Sequence, residues 1–196
     1  MKRDVDSSTK GVAPAEVLAA RARAERLVSA EEVRAAIDRL SVRLSLDFAA
    51  ANPHLLTVMH GALPFAGMLL PRLDFPLTVG YVHVGRYRKA TRGGALVWLA
   101  EPEYRLDGRT VLLIDDVLDR GETLAELVAW ASRAGASAVH TVVLVDKRVN
   151  VPRPVEADYA ALCCPDRYLF GCGMDFRGYW RNLPAIYALP ADMESR

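Results

Sequence analysis

The sequence predicts an α/β fold, a mostly parallel sheet flanked by helices. Three observations lead there. Short apolar runs at Leu55–Met59, Leu77–Val84, Thr110–Ile114 and Ala138–Val145 read as strands. Helical patterns fall between them, and strands that alternate with helices imply parallel pairing with both faces covered. The apolar fraction of 52% suits a globular core and argues against disorder.

The elements follow in chain order. Residues 2–12 are polar and read as a tail. Pro14 suits a first helical turn and opens a run rich in Ala, Glu, Arg and Leu. Ser29 with Glu32 forms a capping box ahead of a second helix, whose Val33, Ile37, Leu40 and Leu44 recur on one face. Asn52–Pro53 stops it. Leu63–Leu73 reads as a helix after the His60–Gly61 turn, and Leu96–Leu99 as a return strand. Arg86–Gly94 carries Arg86, Arg88, Lys89 and Arg92 with two glycines, the composition of a mobile loop. Glu122–Arg133 is a helix with Leu124, Leu127, Val128 and Ala131 on one face. Beyond Pro152 and Pro154 the pattern is short strands and turns.

The formal net charge of +1 excludes a strongly basic nucleic-acid surface as the chain's overall character. Cys163, Cys164 and Cys172 match no zinc spacing and read as packing residues. No apolar run reaches membrane length and no secretory leader pattern follows Met1, so the expected location is the cytoplasm, with no membrane partner.

The chemistry concentrates in V-L-L-I-D-D-V-L-D-R-G-E-T-L, residues Val111–Leu124. A buried strand delivers Asp115 and Asp116 to the sheet edge, where open α/β sheets bind ligands. Asp119, Gly121 and Thr123 follow as a helix begins. Gly121 can adopt a backbone conformation that lets successive N–H groups converge on an anion, and the helix N-terminus adds donors and a favourable dipole. The carboxylates would repel that anion. They suit hydroxyl groups or a hard cation such as Mg²⁺ instead. A ligand with phosphate, sugar hydroxyls and Mg²⁺ matches both halves. The segment is neither a Walker loop nor a three-glycine dinucleotide fingerprint. A solvated acidic turn capping a helix is the bland reading, and the flanking apolar strand and G-x-T-L argue against it.

This segment resembles the PRPP-binding signature of type I phosphoribosyltransferases. Leu55–Ala66, Tyr81–Gly94, Leu144–Arg148 and Asp158–Leu183 extend the resemblance to the hypoxanthine-guanine phosphoribosyltransferase family, with P-D-R-Y-L-F-G-C-G-M-D-F-R-G-Y-W-R-N-L pointing to its purine branch. The resemblance implies the type I phosphoribosyltransferase fold with a small hood subdomain. Residues 1–50 would supply a tail and helices for the hood or oligomer contacts. Residues 51–150 would form the PRPP-binding core, and 151–196 would contribute the purine-binding hood. The implied reaction is purine salvage: a purine attacks C1 of PRPP, pyrophosphate leaves, and IMP or GMP forms with Mg²⁺ as cofactor.

The resemblance also assigns roles. Asp115 and Asp116 would hold the ribose hydroxyls and Mg²⁺. Asp119 would meet purine N7 as general base or hydrogen-bond partner. Asp119, Arg120, Gly121, Glu122 and Thr123 would cradle the 5′-phosphate, with Arg120 and Glu122 departing from the usual Thr and Lys. Lys147 would donate to the purine 6-oxo group, which disfavours adenine because an ammonium cannot pair with a 6-amino group. Tyr168 would stack on the base, and Leu169 would offer backbone groups to its edge. Asp175 would hold a second Mg²⁺ through water, and Arg181 would bind pyrophosphate. Met59–Gly61 would be the pyrophosphate loop, with a strained or cis peptide; His60 stands where relatives often carry lysine, so the backbone of His60 and Gly61 is the expected binder. Arg86 and Tyr87 fall where the family has a flexible lid, Arg86 replacing a serine.

The expected partners are PRPP and a 6-oxopurine in a homodimer or homotetramer, without nucleic acid. A PRPP-sensing or nucleic-acid-binding protein on the same fold is the alternative, as is xanthine-guanine specificity.

Overall fold

The computed structural model describes residues 13–86, 96–100 and 105–194. Its large sheet has six strands: β2 (His54–Met59), β3 (Thr78–Arg86), β4 (Leu96–Ala100), β5 (Thr110–Leu118), β6 (Ala138–Arg148) and β7 (Tyr159–Pro165). Their order across the sheet is β4-β3-β2-β5-β6-β7. Every neighbouring pair is parallel except β3 with β4. The continuous apolar runs of β5 and β6 are explained by their central places. Val111–Ile114 and Val142–Val145 are all buried, as strands covered on both faces must be.

Among the described residues, four helices of seven residues or more accompany this sheet and its hood. Helix α1 (Ala15–Arg23) precedes a short strand, β1 (Glu25–Val28), and then α2 (Ala30–Phe48). The capping box of α2 forms in both directions: Glu32 N–H donates to Ser29 Oγ at 3.2 Å, and Ser29 N–H donates to Glu32 Oε2 at 2.8 Å. The face Val33, Ile37, Leu40 and Leu44 is buried in the main core. Helix α3 (Leu63–Leu69) ends in a 3₁₀ turn over Leu70–Arg72. The sequence suggests one helix to Leu73, but Pro71 has no N–H to continue the ladder. Helix α4 (Glu122–Arg133) has the expected bounds; Leu124, Leu127 and Ala131 are buried and Val128 is half-buried.

Two strands run further than their apolar patterns. β5 continues through Asp115 and Asp116 to Leu118, because β6 still pairs with it there (Asp115 with Val143, Leu118 with Asp146). β6 in turn runs to Arg148 because β7 pairs Cys164 with Lys147 and Pro165 with Arg148. Lys147 therefore lies within a strand rather than after one.

A second, smaller sheet has the order β1-β9-β8, with β8 (Leu169–Phe170) and β9 (Ile186–Ala188), all antiparallel. It shares a separate core of Val17, Ala20, Phe170, Phe176, Ala185, Tyr187 and Leu189 with α1. A final turn of helix, α5 (Ala191–Glu194), closes the described chain. This hood stands over the carboxyl ends of β5 and β6. Of the segment before residue 50, α1 and β1 join the hood, while α2 packs against α3 and β7.

Cys164 and Cys172 are buried and Cys163 is exposed, all with free thiols. Burial pushes the Cys172 thiol up to about 11, so it packs as a neutral side chain. No helix among the described residues is long and apolar enough to cross a membrane.

Candidate active site

β5 carries the chain to the carboxyl edge of the sheet, and α4 starts there. Between them, Gly121 caps the helix with φ +76°, in the left-handed region. A side chain at Gly121 would also meet Val155 Cγ1 at 3.1 Å and the Val155 carbonyl oxygen at 3.3 Å. The loop is thus pressed against the segment after β6, which fixes the direction of its N–H groups. Asp119, Arg120, Gly121, Glu122 and Thr123 line a cleft of about 470 Å³. With the N-terminal N–H groups and dipole of a 12-residue helix, this wall is suited to a phosphate.

Asp115, Asp116, Gly61, His60, Asp175 and Arg181 line the same cleft. Asp116 N–H donates to Asp115 Oδ1 at 3.0 Å. Burial, and after it the charge of Asp116, push the Asp115 carboxyl well above its ordinary range. Burial also raises Asp116, against the opposing pull of the hydrogen bond from Asp115 and the Arg181 charge. Two shielded carboxylates side by side leave negative charge that a cation or hydroxyl donors would relieve.

The residues of the expected pyrophosphate loop lie against this pair. The Met59–His60 peptide is cis. Ala62 N–H donates to the Val58 carbonyl at 3.1 Å and Leu63 N–H to the His60 carbonyl at 3.2 Å, leading directly into α3. A Cβ at Gly61 would sit 2.1 Å from Asp116 Oδ2, so only glycine permits this approach. The His60 ring packs edge-on against His83, with centroids 4.3 Å apart. Arg181 Nη1 donates to the Gly173 carbonyl at 2.5 Å, and its Nη2 pairs with Asp175 Oδ1 at 2.5 Å. Asp175 Oδ2 accepts from Gly178 N–H at 2.6 Å.

A smaller cavity of about 190 Å³ opens beside the cleft, lined by Asp116, Val117, Asp119, Lys147, Tyr168, Leu169, Met174 and Asp175. Lys147 is only 8% exposed. Its ammonium lies 3.2 Å from Asp119 Oδ2 and 3.2 Å from Asp166 Oδ1. Tyr168 presents its ring from the start of the hood. Its hydroxyl donates to the Asp175 carbonyl at 3.0 Å, and its ring edge rests on Phe176 with centroids 5.9 Å apart. Leu169 is buried in β8, with its strand neighbour Ala188 on the other side. A flat apolar ring, a cation donor and a carboxylate acceptor around a cavity of this size can hold a small planar heterocycle.

The fold thus gathers Asp115, Asp116, Asp119–Thr123, His60, Gly61, Asp175, Arg181, Lys147, Tyr168 and Leu169 around two adjoining cavities. Arg86 ends β3; Tyr87 and the rest of the expected lid to Gly94 lie outside the described residues. Sequence reasoning overlooked Asp166, His83 and Gly173. Asp166 stands next to the Arg167–Tyr168 pair, but nothing in the string links it to Lys147. Gly173, with φ +104°, brings the chain so close that a side chain would collide with the Gly61 carbonyl oxygen.

Comparison with known proteins agrees with the fold. The phosphoribosyl transferase domain family matches residues 23–177. The hypoxanthine-guanine phosphoribosyltransferase of Bacillus subtilis is 31% identical over 171 residues, covering 86% of this chain and 95% of that protein. The enzyme of the same name from Streptococcus pneumoniae is 29% identical, covering 86% and 94%. Among solved structures, a hypoxanthine phosphoribosyltransferase from Staphylococcus aureus superposes with a TM-score of 0.82 at 25% identity, covering 88% of this chain and 94% of that one. One from Trypanosoma cruzi gives 0.80 at 26%, covering 87% and 93%. The matched span runs from the hood strand β1 through the acidic pair, the phosphate loop and Lys147 to Asp175, and on that ground the chain belongs to the phosphoribosyl transferase domain family.

Proposed function

We propose that this chain is a purine-salvage enzyme that transfers the 5-phosphoribosyl group of PRPP to hypoxanthine or guanine. IMP or GMP and pyrophosphate are the products. One observation carries the reading. The phosphate cleft and the base cavity share Asp116, Val117, Asp119 and Asp175 as lining residues, so a sugar bound over the acidic pair has its C1 facing the base.

The residues divide the work accordingly. Backbone N–H groups of Asp119–Thr123 and the Thr123 hydroxyl take the 5′-phosphate. Asp115 and Asp116 accept from the ribose hydroxyls. The pyrophosphate is held by the His60–Gly61 backbone and Arg181, whose fork suits phosphate oxygens. Lys147 donates to the 6-oxo oxygen, Tyr168 stacks on the ring, and Leu169 offers backbone groups to its edge. The N9 lone pair attacks C1 as the C1–oxygen bond breaks and pyrophosphate departs with that electron pair. The proton on N7 passes to the Asp119 carboxylate. Arg120 and Glu122 act through their backbone.

Mg²⁺ belongs to this reading. The donor set fits it: Asp115 and Asp116 are hard oxygen ligands whose mutual repulsion a cation relieves, and Asp175, engaged by Arg181 and Gly178, would act on a second ion through water. No group of three or more His, Cys, Asp or Glu side chains gathers as a metal site among the described residues. Mg²⁺ is commonly held by one or two carboxylates plus substrate oxygens. When bound, it supplies charge neutralisation at the leaving pyrophosphate.

The exposed side chains Val79, Tyr81, Val97 and Leu99 on the paired strands β3 and β4 support assembly as a homodimer or homotetramer.

Incubation with PRPP, Mg²⁺ and hypoxanthine, guanine, xanthine or adenine, followed by nucleotide assay, tests the function. Hypoxanthine and guanine are expected to react and adenine not. Absence of turnover with every 6-oxopurine would refute it.

A further inference from the structure

Lys147 is anchored from two sides, and only one anchor has a part in the reaction. Its ammonium has three N–H donors. It forms an ion pair with Asp119 on the β5–α4 loop and another with Asp166 on the turn after β7, each at 3.2 Å. The same ammonium-bearing side chain lines the smaller cavity, where it can donate to a ligand. Asp119 and Asp166 are alike in exposure, at 51% and 53% of the side chain, while that of Lys147 is 10% exposed. Asp119 lines the base cavity and Asp166 does not.

We propose that Asp166 is a positioning residue that aims the Lys147 ammonium at the 6-substituent of the base, and so sets the discrimination between 6-oxo and 6-amino purines. This rests on the reading of the site as a 6-oxopurine phosphoribosyltransferase. When Asp119 turns its carboxylate to the base N7 proton, its hold on Lys147 weakens. Asp166 has no such second task. Without it, the flexible four-carbon stem of lysine would let the ammonium follow Asp119 toward N7.

Asp166 is itself held firmly. β6 and β7 pair Lys147 with Cys164 and Arg148 with Pro165, which places the next residue beside the lysine. Arg167 N–H closes the turn on the Pro165 carbonyl at 2.9 Å. Arg167 then ties the turn to the hood through Glu25 Oε2 and the Leu189 carbonyl, each at 2.6 Å. Two residues on, Tyr168 begins the stacking surface. One short segment therefore sets the donor and the stacking ring relative to each other. An ordinary exposed ion pair contributes little, but here one partner is a buried donor facing a cavity.

The test is steady-state kinetics of the wild type, Asp166→Asn and Asp166→Glu with hypoxanthine, adenine and PRPP, together with calorimetric binding of IMP. Asp166→Asn is expected to raise KM for hypoxanthine about tenfold and weaken IMP to a similar degree, as loss of one charge-assisted contact does. KM for PRPP should stay unchanged and the preference over adenine should fall. Asp166→Glu, which keeps the charge, should recover part of the loss. Wild-type values for hypoxanthine and IMP in Asp166→Asn would overturn the inference while leaving the function intact. Equal losses toward base and PRPP, with a lowered melting temperature, would overturn it as well by making Asp166 a structural residue. A wild type that neither turns over hypoxanthine nor binds IMP would overturn the functional reading and the inference with it.

Discussion

Gly61 lies against the carboxylate of Asp116, so close that a Cβ there would stand 2.1 Å from Oδ2 and 2.6 Å from Cγ. The His60–Gly61 turn and the acidic pair are therefore one interlocked unit. Gly61→Ala must displace the short Asp116 side chain. It is expected to fold and to lose about 100-fold in kcat/KM for PRPP, the scale of a misplaced catalytic group. Gly173→Ala meets the Gly61 carbonyl oxygen, a backbone atom, at a φ of +104°. It should instead lower the melting temperature markedly. Kinetics and thermal melts of both variants separate the two effects; wild-type kinetics for Gly61→Ala would break the link.

Asp119 faces both cavities. If its backbone serves the phosphate and its side chain the base, as proposed, Asp119→Asn should keep PRPP affinity and lose roughly 10²- to 10⁴-fold in kcat, the usual worth of a positioned proton acceptor. Collapse of PRPP binding would make it a structural member of the cup.

Lys147 is the only cationic side chain lining the base cavity among the described residues. Lys147→Gln should raise KM for hypoxanthine roughly 10- to 100-fold, the range for a hydrogen bond to a charged group, with little change toward PRPP. A glutamine amide can donate or accept, so the preference over adenine should narrow. Base kinetics at fixed PRPP check this.

Stability far from the site has its own test. Ser29→Ala removes the cap of α2 and should lower the melting temperature by about 2–4 °C while leaving activity unchanged. The Ser29 backbone N–H, the largest influence, lowers the Glu32 pKa. A depressed carboxylate pKa contributes stability above its titration and loses it as pH falls through that range. The gap in melting temperature between wild type and Glu32→Ala, which removes that carboxylate, should therefore shrink below about pH 4.

The sequence was most legible where local chemistry decides the outcome. The capping box at Ser29, the bounds of α4 and the glycine-capped start of α4 at Gly121 follow from side-chain type and spacing alone. It was least legible where a distant segment decides. β5 runs four residues past its apolar stretch because β6 pairs with it there. β1 is only Glu-Arg-Leu-Val between two helices, and its partner β9 lies some 160 residues on. Asp166 has no mark of its own, because its meaning comes from Lys147 on the neighbouring strand. The cis Met59–His60 bond was foreseen through family resemblance, since no local residue pattern requires it.

The central claim is that the acidic pair and the Lys147 cavity act on one pair of substrates. Pyrophosphate release from PRPP, measured with Mg²⁺ in the presence and absence of hypoxanthine, tests it most directly. The account predicts release only with the base, one IMP formed per pyrophosphate, and none with adenine. PRPP that binds but releases no pyrophosphate with hypoxanthine or guanine would contradict it and mark the chain as a sensor on the same fold.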